Sequence, residues 1–191
     1  MFDTLRSLFH PQPSAPPVPP APSGRRLDDE YEAEFFTWFH LEPDDAPVRD
    51  AAGIRHRFRP SGDAFRGLVV LDIITDDADG IRSAHLCLDR SFVSGPEDAF
   101  ARDIAKSFLG WILDGEAQQE AAPLIANIGN LAAANAPVIA AEVSPLPPAD
   151  TSGAYAVYMG DGDAATLMLG SAMLTLANAG GRLTIDAHLE G

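Results

Sequence analysis

The chain has 191 residues, 46% of them hydrophobic, and its 13 Lys+Arg against 28 Asp+Glu set a formal net charge of −15. A chain of that length buries enough surface to fold without a disulfide or a metal. The single cysteine, Cys87, excludes an intrachain disulfide framework and any multi-thiolate zinc site. So acidic a protein repels nucleic acid and anionic membrane surfaces and attracts basic partners.

The apolar runs fall well short of the roughly 20 residues of a transmembrane helix. The N-terminal MFDTLRSLF lacks the basic n-region and long h-region of a secretory signal. A cytoplasmic location is therefore expected, and a lone thiol is compatible with a reducing compartment.

Charge is unevenly placed. Residues 1–26 carry +2 and the remainder −17, which separates an N-terminal segment from an acidic body over 27–191. In the first segment Phe2, Leu5, Leu8 and Phe9 fall near one helical face. Eight residues do not hold a helix alone in water, but a short amphipathic segment has the form of a docking peptide. Behind it, PQPSAPPVPPAP at 11–22 has seven prolines in twelve positions. Proline fixes φ and lacks an N–H, so this stretch is expected to be a semi-rigid spacer of about 35 Å.

The body is expected to open with a helix capped by Asp28 and stopped by Pro43. Leu27, Tyr31, Phe35, Trp38 and Phe39 form an inward stripe, and Phe36 points away as a partner contact. Ile54 to Arg59 alternates: Ile54, His56 and Phe58 on one side, Arg55, Arg57 and Arg59 on the other. That arginine row could hold an anion, or pair with the protein's own carboxylates. Leu68 to Ile74 and Ile81 to Leu88 read as a hairpin about the Asp79-Gly80 turn.

Ser94-Gly95-Pro96-Glu97 begins a helix whose face is Phe100, Ile104, Phe108, Trp111 and Ile112, closed by Gly115. A second helix is expected after Pro123, with Leu124, Ile125, Ile128, Leu131 and Ala132 inward, ending at Pro137. A strand is expected at Val138 to Val143, and 144–153 reads as a loop. Ala154 to Met159, Ala165 to Leu176 and Arg182 to Leu189 then form a meander, with a buried helix as the alternative for the middle segment.

These elements predict an α+β fold: an antiparallel sheet from the hairpin region and the C-terminal meander, with helices packed on one face. The expected function is a non-enzymatic interaction module (an adaptor, a small chaperone-like binder or an assembly factor) with a protein partner. A homodimer is compatible with the same reading, and neither cofactor nor metal is expected. Two alternatives stay open. In one the acidic body binds a basic partner or mimics nucleic acid; in the other the protein is a small enzyme using Cys87 with His85, which share a strand face with Asp89. The acidic turns at 76–80 and 161–163 do not match an EF-hand loop, and the five histidines show no zinc spacing.

Overall fold

A computed structural model describes residues 24–94, 98–129 and 149–189. The expected docking residues Phe2, Leu5, Leu8 and Phe9, the proline spacer, Leu131, Ala132 and the strand expected at 138–143 lie outside the described residues.

In chain order the elements are α1 (Leu27–Glu30), α2 (Glu34–Trp38), β1 (Leu41–Pro43), β2 (Val48–Arg49), β3 (Ile54–Pro60), α3 (Asp63–Arg66), β4 (Val69–Thr75) and β5 (Ile81–Asp89). They continue with α4 (Arg90–Ser94), α5 (Asp98–Ile112), α6 (Gly115–Gly129), α7 (Ser152–Met159), β6 (Ala164–Leu169), β7 (Ala172–Ala179) and β8 (Arg182–Leu189). The strands make one antiparallel sheet in the order β1-β3-β4-β5-β8-β7-β6, with β2 also paired to β3. The fold is thus α+β, with helices on one sheet face.

Period-two burial decides which face is which. Leu86 and Leu88 of β5, Leu71 and Ile73 of β4, and Leu183, Ile185 and Ala187 of β8 are completely buried. They meet Ile104, Phe108 and Ile112 of α5 and Leu124 and Ile128 of α6 in one core. Fully burying a side chain of this size contributes about 1.5–3 kcal/mol. The β4–β5 hairpin forms as expected, with Asp79 at φ 67 and the Asp76 carboxylate accepting from the N–H groups of Ala78 and Gly80.

Four expectations are corrected. The first helix is two short ones, broken between Glu30 and Glu34, and its N-cap is Arg26, with Asp28 inside the first turn. Leu27, Phe35 and Phe39 of the expected stripe are buried, but Tyr31, Trp38 and Phe36 depart from expectation. Phe36 is 2% exposed and Trp38 72%. Phe36 turns inward because Phe58 of β3 and Trp111 of α5 lie behind it, at ring-centroid distances of 5.3 Å each. It therefore offers no surface to a partner.

Gly115, at φ 46, opens α6 rather than closing α5, and Pro123 sits inside α6. An interior proline forfeits one helical hydrogen bond; Ala121, Leu124 and Ile128, all fully buried, hold the helix through it. Ala154 to Met159 belongs to a helix instead of a strand. Its Ala154, Val157 and Tyr158 are buried at helical spacing, and Gly160 ends it at φ 97. The segment 165–176 is neither one strand nor a helix but the β6–β7 hairpin. Gly170 at φ 53 supplies the positive dihedral that a two-residue turn requires at its first position. The meander therefore stands, with its first strand at Ala164–Leu169.

Candidate functional site: the outer sheet face

On the face away from the helices, the register aligns one residue from each of six strands. Arg57 pairs with Asp72, Asp72 with His85, His85 with Asp186, Asp186 with Thr175, and Thr175 with Thr166. Alternation alone puts these side chains together, because directly opposed residues of antiparallel strands point to the same face.

The row is tied by its own contacts. Arg57 grips Asp72 through two parallel hydrogen bonds, Nε to Oδ1 and Nη2 to Oδ2, each 2.7 Å. The Asp186 carboxylate meets Nδ1 of His85. A carboxylate accepts only, so Nδ1 carries the proton and donates. Burial holds the imidazole of His85 below its ordinary pKa, opposed by the carboxylate of Asp72. At the far end the hydroxyls of Thr166 and Thr175 lie 3.0 Å apart.

Of the arginine row, Arg57 is committed to Asp72. Arg59 donates to Asp44 at 2.6 Å and to the carbonyl of Arg66 at 2.7 Å, and Arg66 donates to the same Asp44. The hydrogen bond from Arg59 is the leading reason that Asp44 titrates below the usual carboxylate range. Arg57 and Arg59 thus pair with the protein's own carboxylates. Arg55 stands on the same face, half-buried, opposite Ile74 and Val48.

Cys87 and His85 do share this face. The thiol, 8% exposed, lies 3.6 Å from Nη1 of Arg182, while His85 is engaged by Asp186. Asp186 engages Nδ1 and leaves Nε2 of His85 free among the described residues, but the contact of the thiol is Arg182 and not the imidazole. Asp89, the third member of that face, accepts from the backbone N–H and the hydroxyl of Ser91. Among the described residues no group of three or more His, Cys, Asp or Glu is placed to hold a metal ion.

Two features escaped sequence reasoning. Trp38 stands at a recess of about 280 Å³ lined by Phe35, Phe39 and Trp111 among others. The other is the charge pattern of the open face. Its four arginines (Arg55, Arg57, Arg59, Arg182) stand against four carboxylates (Glu42, Asp72, Asp89, Asp186), so the face is nearly balanced in a chain of net charge −15. Odd-even alternation in β3, β4, β5 and β8 held that signal, but only the strand order shows that the residues share one surface.

Comparison with protein-family models, curated proteins and solved structures finds no match to this chain.

Proposed function

We propose that the protein is a non-enzymatic protein-interaction module, acting as an adaptor, a small chaperone-like binder or an assembly factor. The observation that carries this reading is the one-sided sheet. Its inner face is sealed by helices, while its outer face is broad, polar and nearly charge-balanced on a strongly acidic body. Such a surface suits protein contact, since like-charge repulsion is lowest there and half-buried Thr175, Thr184 and Ala177 leave a plane of low relief. In the full reading, Phe2, Leu5, Leu8 and Phe9 dock on a second surface and the proline spacer keeps that contact away from the body.

The test is capture from native lysate with three full-length chains. These are the wild type, a Phe2→Ala/Leu5→Ala/Leu8→Ala/Phe9→Ala variant, and Thr175→Glu/His188→Glu on the open face. A partner lost with either variant supports the reading and says which surface takes it. Retention of the same partner by both variants would remove the open face and residues 2–9 as its docking surfaces, and capture of none by the wild type would sink the reading.

The charge segregation favours a second reading, in which a basic partner is drawn to the acidic remainder of the body. That complex would be insensitive to Thr175→Glu/His188→Glu and would weaken steeply as salt rises.

A further inference from the structure

The two edges of the sheet are built differently. At the β3 edge lie β1 and β2, short strands of three and two residues that carry Pro43, Glu42 and Arg49. Proline and charge are devices that keep an edge from pairing. At the other edge is β6, Ala164–Leu169, six residues with no charge, no proline and no bulge. Among the described residues it pairs with β7 alone.

The hydrogen-bond phase of β6 follows from its turn. A two-residue turn closes on a pair that exchanges both backbone bonds, here Leu169 with Ala172. Counting back by twos, Leu167, Ala165 and Asp163 face β7. The 2.7 Å bond from Asn178 N–H to the Asp163 carbonyl confirms that phase. The backbone N–H and C=O groups of Ala164, Thr166 and Met168 therefore point away from the sheet. Their side chains are exposed, Met168 at 58%.

Carboxylates stand at both ends of this edge. Exposed Asp161 and Asp163 precede it. At its other end Glu120 accepts from the Gly170 N–H at 2.8 Å, with the Glu116 side chain beside the same glycine. A second copy paired antiparallel would bring the Asp161 and Asp163 end of each chain against the Glu116 and Glu120 end of the other, acid against acid. A strand with basic ends meets no such repulsion.

We infer that the outer edge of β6 takes an extended segment of a partner protein as an added strand, with an uncharged β-branched centre and lysine or arginine at both ends. Main-chain bonds to Ala164, Thr166 and Met168 supply the hold, as in other strand-addition complexes. The end charges set the choice of partner. This goes beyond the reading above by naming a further surface, and it rests on that reading only in taking the protein as an interaction module.

The probe is an acetylated, amidated peptide, Lys-Lys-Val-Thr-Val-Thr-Val-Thr-Lys-Lys, titrated onto the full-length chain, with a second peptide in which the lysines are glutamates. Amide exchange at Ala164, Thr166 and Met168 should slow on binding, and raising salt should weaken the complex. Thr166→Pro removes an outward N–H that β7 does not use, at an edge where proline is tolerated. Met168→Lys puts a guarding charge on the edge. Each should weaken the lysine peptide at least about tenfold while the thermal melt stays close to wild type.

Equal binding of the glutamate peptide, unchanged exchange at the three amides, or undiminished binding by Thr166→Pro overturns the assignment. So does self-association that rises with salt and is lost in Met168→Lys, which would give the edge to a second copy. Should a lysate partner stay on Thr166→Pro while the peptide fails to bind, the edge assignment falls and the interaction reading stands. Absence of any partner would remove both.

Discussion

The indole N–H of Trp111 donates to Oε2 of Glu30 at 2.7 Å, joining the first short helix to α5 across 81 residues of chain. Arg25 completes the junction. Its Nε reaches Glu30 Oε1 at 2.9 Å, its Nη1 reaches the Trp111 carbonyl at 2.8 Å, and its guanidinium lies 5.3 Å from the indole centroid. The start of the acidic body is thereby held on the helical layer by a carboxylate that receives both an indole and a guanidinium.

This junction makes stability depend on pH. Burial acts to raise the pKa of Glu30, but the hydrogen bonds from Arg25 and Trp111 outweigh it and the net direction is downward. A carboxyl lowered in the folded state contributes fully above its unfolded value of about 4.3, and that contribution is lost as pH falls through the folded value. Urea midpoints measured from pH 7 to pH 3 should fall from about pH 5 downward. Glu30→Gln should start lower at pH 7 and show a flatter profile. An identical slope in that variant would remove Glu30 from the account.

His85 should titrate below the ordinary histidine value of about 6.5, because burial of the ring is the leading cause of its shift. Its neutral form is favoured by folding, so this contribution is present above about pH 6.5 and is lost as pH falls through the folded value. Asp186→Asn removes the carboxylate at Nδ1 and should move the midpoint lower still. Proton NMR of the imidazole across pH 4 to 8 reads both changes, and a midpoint raised by Asp186→Asn would contradict the arrangement.

Gly53 has φ 145, and a Cβ there would lie 2.3 Å from the carbonyl oxygen of Thr75. That oxygen belongs to a strand terminus and has little room to give. Gly53→Ala should destabilise the protein by about 2 kcal/mol, from backbone strain and the clash together. Chemical denaturation reads the loss, with Gly67→Ala as a comparison where the Cβ meets nothing within 4 Å.

Tyr158 is 1% exposed, and its hydroxyl has no hydrogen-bond partner among the described residues. Burial pushes the phenol far above its usual range. An unpaired buried hydroxyl carries a desolvation cost that its ring does not. Tyr158→Phe should therefore raise stability by about 1 kcal/mol, whereas Tyr158→Ala should lose about 3–5 kcal/mol through the cavity it leaves. Thermal melts of the two variants separate the hydroxyl from the ring.

Local rules settled much of this protein. The DDADG turn, the strand run at 68–74 and the alternation of Ile54 to Arg59 depend on neighbouring residues alone, and the β4–β5 hairpin and the two faces of β3 follow from them. Acidity and the lack of disulfides were legible from composition. Where partners lie far apart in sequence, pattern was not enough. Phe36 faces inward because Phe58 and Trp111 stand behind it, and no periodicity within 27–39 contains them. Ala154 to Met159 is apolar in a way that suits strand or helix equally, and packing chose the helix. Gly170 makes a hairpin of a run that reads as continuous. The row from Arg57 to Thr166 required the strand order, since burial on one face and pairing across six strands are properties of the assembled sheet. That β6 is the outermost strand among the described residues is legible only once the other strands have found their neighbours, because an edge is defined by the whole sheet and never by its own sequence.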